Sequence, residues 1–280
     1  MFKCKNKKNT GALQEEYQVE QYRLGESPIE YDVRLFDGNW RDYLPKDEWQ
    51  KKNGTETMSC VTFSALNSIE IQLNWMLRHN KISAKSKKFL LDNGYMEDGM
   101  VNLSDKFTAI KSNTMQNGNY MTAVANSLRK DGAIPESMLE FGTPSSWNEY
   151  HDKNQIKPEM EEKGLKFLDY FSIQYEWVVN PNNGGLKEEG RANCLKHLRH
   201  APLQIAKSGH ATDYFMGVDK VRFGQYDSYN PFIKERPWEY DPYAVMKIIL
   251  IDKHMITAKQ ITAAKLEVRN IMNGRKAPYF

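Results

Sequence analysis

Thr57-Met58-Ser59-Cys60-Val61-Thr62-Phe63-Ser64-Ala65-Leu66-Asn67-Ser68-Ile69-Glu70 is the stretch on which the reading of this chain turns. Leu66, Ile69, Leu73 and Met76 or Leu77 recur at three- and four-residue spacing, which predicts an amphipathic helix over about residues 60–79 with one face buried. Cys60 falls in its first turn. There the unpaired backbone N–H groups and the positive end of the helix dipole favour an anion, and so the nucleophilic thiolate. The bland alternative is a small apolar residue in the core, the commonest fate of a lone cysteine.

With 280 residues, the chain can bury a full core, as one domain of two lobes or as two small domains. A content of 40% hydrophobic and 12% aromatic residues excludes a solvated, disordered chain. The longest apolar run, Ala244 to Ile251, is interrupted by Lys247 and fits one buried strand, so no membrane span is expected. Met1-Phe2-Lys3-Cys4-Lys5-Asn6-Lys7-Lys8 has basic residues without an apolar stretch after them, which does not make a secretory signal. Cys4, Cys60 and Cys194 are an odd number at wide spacing, arguing against a disulfide framework and for a reducing compartment. The balance of 39 basic and 36 acidic residues gives no electrostatic case for nucleic acid.

Cys60-Val61-Thr62-Phe63-Ser64-Ala65, followed by Ile69-Glu70, resembles the nucleophile helix of papain-like cysteine peptidases, with Val61 at a place that is aromatic in the family. The resemblance implies an α+β, two-lobe fold: a helical lobe, an antiparallel β lobe and a site in the cleft between them. It also demands a histidine and then an orienting side chain far downstream. Residues 1–26 are read as an arm outside the core, 27–141 as the helical lobe, 142–255 as the β lobe and 256–280 as a C-terminal helix and tail. Within the first lobe, Asp32-Val33-Arg34 resembles an extended entry segment. Asn102-Leu103-Ser104, Asn117-Gly118-Asn119-Tyr120 and Asp131-Gly132-Ala133-Ile134-Pro135-Glu136 follow the family's order of helix start, Gly-Asn turn and exit. The loop from Gly142 to Gly164 is the expected lobe boundary, and Phe167 to Val179 reads as strand.

Among six histidines, His210 is the best base, because it heads a strand with small neighbours and is followed, after another strand-like stretch, by Asp227-Ser228-Tyr229. The family has Asn-Ser-Trp there. A carboxylate can replace the amide, since the orienting group needs only to accept a hydrogen bond from one imidazole nitrogen. The family's oxyanion glutamine precedes the cysteine by six residues, a place held here by Gly54; Gln50 would serve with a loop insertion, and Asn53 is the second candidate. Cys194, His197 and His200 lack a fourth partner at metal-site spacing, so neither metal nor cofactor is expected. The implied activity is hydrolysis of amide bonds in a peptide, a protein or peptidoglycan cross-bridges. A polar, tryptophan-rich chain of this kind looks like proteins encoded by bacteriophages or bacteria, implying a host cytoplasm or a virion. The rival reading is a non-catalytic papain-fold structural or adaptor protein, docked on a larger assembly through its arm and C-terminal helix.

Overall fold

Helix α1 (Cys60–Arg78) is the axis of the molecule, buried along nearly its whole circumference from Cys60 to Met76. The computed structural model describes residues 11–15, 33–181, 185–218 and 220–255. Before α1 come three short strands, β1 (Gly11–Ala12), β2 (Lys51–Lys52) and β3 (Thr55–Glu56). After it come α2 (Ala84–Asp92), the hairpin β4 (Met96–Glu97) and β5 (Met100–Val101), and α3 (Asp105–Lys111), which Ser104 caps by accepting from the Phe107 N–H. Next are β6 (Gly118–Asn119), α4 (Met121–Asp131), α5 (Trp147–Tyr150) and α6 (Pro158–Tyr170).

The second half is β7 (Phe171–Val179), α7 (Glu188–Leu198), β8 (Leu203–Lys207), β9 (His210–Val218), β10 (Arg222–Tyr226), β11 (Ile233–Pro237) and β12 (Ala244–Asp252). Its six long strands form one sheet in the order β11-β10-β9-β8-β12-β7, antiparallel at every junction. The architecture is thus mixed α+β, a helical region followed by an antiparallel sheet. Helix α1 packs on β8, β9 and β12 with one side and on α3, α4 and β5 with the other.

That two-sided burial differs from the single buried face expected of α1, and the polar residues explain it. Ser64, Ser68 and Gln72, spaced by four, do not face water. Gln204 Nε2 donates to Ser64 Oγ (2.7 Å) and Val61 O (2.9 Å), Ser68 Oγ donates to Asp213 Oδ1 (2.8 Å), and Gln72 Nε2 donates to Ile248 O (2.9 Å) while its Oε1 accepts from the Leu250 N–H (3.0 Å). On the other side Glu70 and Asn74 accept from the Leu103 and Val101 N–H groups (2.7 and 2.8 Å). A stripe that reads as solvent-facing is the seam between helix and sheet.

Other boundaries also shift. Residues 11–15 belong to the core and not to an external arm: Ala12, Leu13 and Glu15 are buried. The Gly142–Gly164 stretch holds α5 and the first half of α6, and Phe167 to Tyr170 finish that helix before β7 begins at Phe171. Asp32, Cys4 and the expected C-terminal helix lie outside the described residues. Arg34 is described, and it donates to Gln72 Oε1 and Leu250 O (2.6 Å each), bridging helix and sheet.

Lys247, which interrupts the apolar run of β12, is fully buried and is neutralised in place by Glu176 of β7, with His197 of α7 near both, its Nδ1 2.9 Å from the lysine and 3.8 Å from Glu176 Oε1. Removing one member of such a pair strands a buried charge, whereas replacing both with apolar groups need not. Lys247→Met is therefore expected to lower unfolding free energy by about 3 kcal/mol, and adding Glu176→Leu to recover most of it, as read by urea denaturation.

Candidate functional site

The chain reaches Cys60 through a short hairpin and a sharp bend. Asn53 and Gly54, both with positive φ (50° and 77°), form the two-residue turn between β2 and β3. Met58 then takes φ 58°, an unusual conformation for a side-chain-bearing residue, and its N–H is held by Glu56 Oε1 at 3.0 Å. Ser59 precedes the helix and its carbonyl accepts the first helical bonds, from the Thr62 and Phe63 N–H groups (2.8 and 3.0 Å). Cys60 is the first helical residue. Its backbone N–H is one of the donors that a helix start leaves without an intrahelical partner.

His210 opens β9 directly after a second two-residue turn, Ser208-Gly209, again with both φ positive (54° and 80°), which pairs Lys207 with His210. The Ser68–Asp213 and Ser64–Gln204 bonds lock β9 and β8 against α1, so the hairpin delivers His210 to the helix start. The Ala211 N–H points at Cys60 Sγ (3.4 Å), which sets the thiol beside the strand head that carries His210. The imidazole Nε2 meets Asp227 Oδ1 at 2.7 Å, so Nδ1 is the ring nitrogen that this bond leaves for the Cys60 side. The structure thus brings the three expected residues into one line: Cys60, His210, Asp227.

Its charges are asymmetric. Burial works against a charged His210, but the Cys60 sulfur and the Asp227 carboxylate outweigh it and raise the imidazole from its usual 6.5 to about 10. Burial would likewise raise Asp227, yet His210 and then Lys234 hold its carboxyl below the ordinary range. Lys234 of β11 sits 2.5 Å from Asp227 Oδ2, and the Tyr229 N–H adds a bond to Oδ1 at 3.2 Å. Sequence reasoning missed Lys234, because on an edge strand of alternating exposure nothing marks one lysine from its neighbours.

The oxyanion candidates separate. Asn53 is exposed at the hairpin tip, and among the described residues no contact ties it to Cys60; the turn geometry needs an asparagine there without any site. Gln50 is buried beside the His210 side of the site. Its Nε2 donates to Glu56 Oε1 (2.7 Å) and the Tyr229 hydroxyl (2.8 Å), its Oε1 accepts from Ser228 Oγ (2.7 Å), and Tyr229 closes the ring by donating to Glu56. The Tyr229 ring packs on His210 with centroids 5.2 Å apart, so an aromatic wall stands beside the imidazole. Glu56 and Tyr229 are the partners that composition alone could not single out.

Cys194 is buried under α7 with its thiol pushed up to about 12 by burial, and His197 lies against Lys247. Among the described residues no group of three His, Cys, Asp or Glu side chains is arranged to hold a metal ion, and no helix is long and apolar enough to cross a membrane. The chain matches no protein-family model and no curated protein.

A histidine whose folded pKa is raised adds stability that is complete below about 6.5 and is lost as pH rises through about 10. NMR titration of His210 is expected to give a midpoint near 10, which falls in Cys60→Ala and, less, in Asp227→Asn. A His210 midpoint below 6.5 in the unaltered chain would show that neither neighbour supports the imidazolium against burial.

Proposed function

We propose that this chain is a papain-like cysteine peptidase that hydrolyses amide bonds through Cys60, His210 and Asp227. The observation that carries the reading is the juxtaposition of a helix-start thiol, contacted by the N–H of the residue after His210, with the bonded His210–Asp227 pair. Helical and β parts meeting at that line support the two-lobe reading of the fold. In the cycle, the Cys60 thiolate attacks the substrate carbonyl carbon, and the C=O electron pair moves to oxygen. The Cys60 backbone N–H, which the helix start leaves without an intrahelical partner, is a donor available to that developing charge. Gln50 can add a second donor only by releasing Glu56 or Tyr229.

As the C–N bond breaks, His210 passes its Nδ1 proton to the departing amine, leaving a thioester. It then takes a proton from water as the hydroxyl oxygen bonds to the acyl carbon, and the C–S bond breaks to restore the thiolate. Asp227 holds the ring in plane through Nε2 and favours the imidazolium. Lys234 keeps Asp227 ionised and turned toward the ring.

A second reading, a structural or adaptor protein of a phage particle on the same fold, is favoured by one observation: Cys60 has no exposed surface. Two measurements separate them. Cys60→Ala is expected to abolish peptide hydrolysis while leaving one cooperative unfolding transition, because the change removes only one sulfur atom. Asp227→Asn is expected to retain measurable activity with the basic limb of its pH–rate profile at lower pH, and Asp227→Ala to lose about 10²- to 10⁴-fold, the usual share of a positioned acid–base group. Equal activity in the unaltered chain, Asp227→Asn and Asp227→Ala would remove Asp227 from the mechanism.

A further inference from the structure

A pocket of about 410 Å³ opens between the end of α3, the turn before β6 and α5. Ala109, Ile110 and Met115 give it apolar walls, and Trp147 and His151 line it side by side. No carboxylate is among its lining residues, and its one lysine, Lys153, is tied to Asn113 Oδ1 at 2.8 Å. The pocket shares no residue with the Cys60 site but adjoins it through β6. There β1 pairs by main chain, the Leu13 N–H donating to Asn119 O (2.9 Å), and a Cβ on Gly11 would stand 2.5 Å from Cys60 Sγ.

Two polar atoms of this lining have no use inside the protein. Trp147 and His151 stand four residues apart on α5 and its cap, so they share a face, and their rings stack with centroids 4.3 Å apart and planes 29° apart. His151 Nε2 lies 2.8 Å from Thr57 O, a carbonyl that can only accept, so Nε2 carries the ring proton. Burial pushes the imidazole down to about 4, which keeps it neutral at ordinary pH and leaves Nδ1 with a bare lone pair. Among the described residues, neither that acceptor nor the Trp147 Nε1–H donor has a hydrogen-bond partner, and both atoms are buried from bulk water. The polar neighbour Thr114 is already engaged by Asn119 Nδ2 (3.1 Å). An orphan donor beside an orphan acceptor costs stability that a bound group of matching polarity recovers.

We propose that this pocket binds a neutral carboxamide on a small apolar body, the amide C=O accepting from Trp147 Nε1–H, its N–H donating to His151 Nδ1, and the apolar part lying against Ile110 and Met115. An amide is the common group that presents one acceptor and one donor in a single plane. A carboxylate would set its charge against the His151 lone pair, and an ammonium would find no carboxylate in the lining. Seating the ligand takes a side-chain rotation of Trp147, which is half-buried on a helix of one turn. In a peptide the group is an asparagine or glutamine side chain. The binding needs no chemistry at Cys60, so it stands or falls apart from the peptidase reading.

The test titrates the full-length chain with benzamide and follows the Trp147 indole N–H by NMR, the resonance being assigned by its loss in Trp147→Phe. A saturable shift with a Kd of about 1 mM is expected, the scale of a fragment-sized ligand. Benzoate, which is charged and has no N–H, and N,N-dimethylbenzamide, which keeps the carbonyl without the N–H, should each bind at least about 10-fold more weakly, because either leaves His151 Nδ1 unpaired. Trp147→Phe and His151→Phe, followed through the Met115 methyl resonance, should each weaken benzamide by a similar factor. In His151→Phe the preference for benzamide over the dimethyl amide should vanish. No saturable shift up to about 10 mM, equal binding of the three probes, or unchanged benzamide affinity in both variants overturns the proposal. Should His151→Phe fail to fold for want of its bond to Thr57, the three probes on the unaltered chain and on Trp147→Phe decide.

Discussion

The structure hangs on the hydrogen-bonded seam between α1 and the sheet. Ser64, Ser68 and Gln72 each meet one strand, β8, β9 and β12 in turn, and Arg34 ties the last rung to both sides. A hydrophobic interface tolerates small sliding, but this one does not. Moving α1 by one residue would strand several fully buried polar groups at about 1–3 kcal/mol each. Cys60 and His210 lie more than one hundred residues apart in sequence, and nothing covalent relates them. Their register is set by these rungs, one of which lies on the strand that His210 opens and another on the strand paired with it.

Around that fixed frame, the local devices are inexpensive turns and networks. Two glycine-bearing hairpin turns aim the β2–β3 unit and His210, while Met58 holds the one unfavourable backbone conformation next to the thiol. Glu56 spends its carboxylate on Met58, Gln50 and Tyr229 together, so the bend before α1, the loop after β10 and the wall beside His210 form a single hydrogen-bonded body. Asp227 is similarly shared between His210 and Lys234, which is why its charge survives burial.

The sequence placed the candidate site more readily than the packing around it. A cysteine at a helix start, a histidine at a strand head and an aspartate after the next strand, read beside the resemblance to papain-like peptidases, nominated Cys60, His210 and Asp227, which lie together in the structure. The helix-and-sheet division was legible for the same reason, since α1, α4, α7, β9 and β12 show their periods plainly. What failed was the inference from polarity to exposure. Ser64, Ser68, Gln72, Lys247 and Glu15 look solvated and are buried, because each meets a partner distant in sequence that no local window contains. Asn53 erred in the opposite direction: a residue type suited to catalysis was there to make a turn. The segment at residues 11–15 has too few apolar residues to announce itself, and main-chain bonding leaves no side-chain signature.

The covering of Cys60 bears on the lifetime of the thiol as much as on its access to peptides. Conversion of a thiolate to sulfenic acid and onward to irreversible sulfinic and sulfonic acids requires peroxide to reach the sulfur. With no exposed surface on Cys60 and Gly11 pressed against Sγ, that approach is closed in the resting molecule. Cys194, equally buried and with its thiol raised by burial, cannot supply a nearby resolving partner. Among the described residues, protection of the reduced state therefore comes from backbone placed over the sulfur and not from a second thiol.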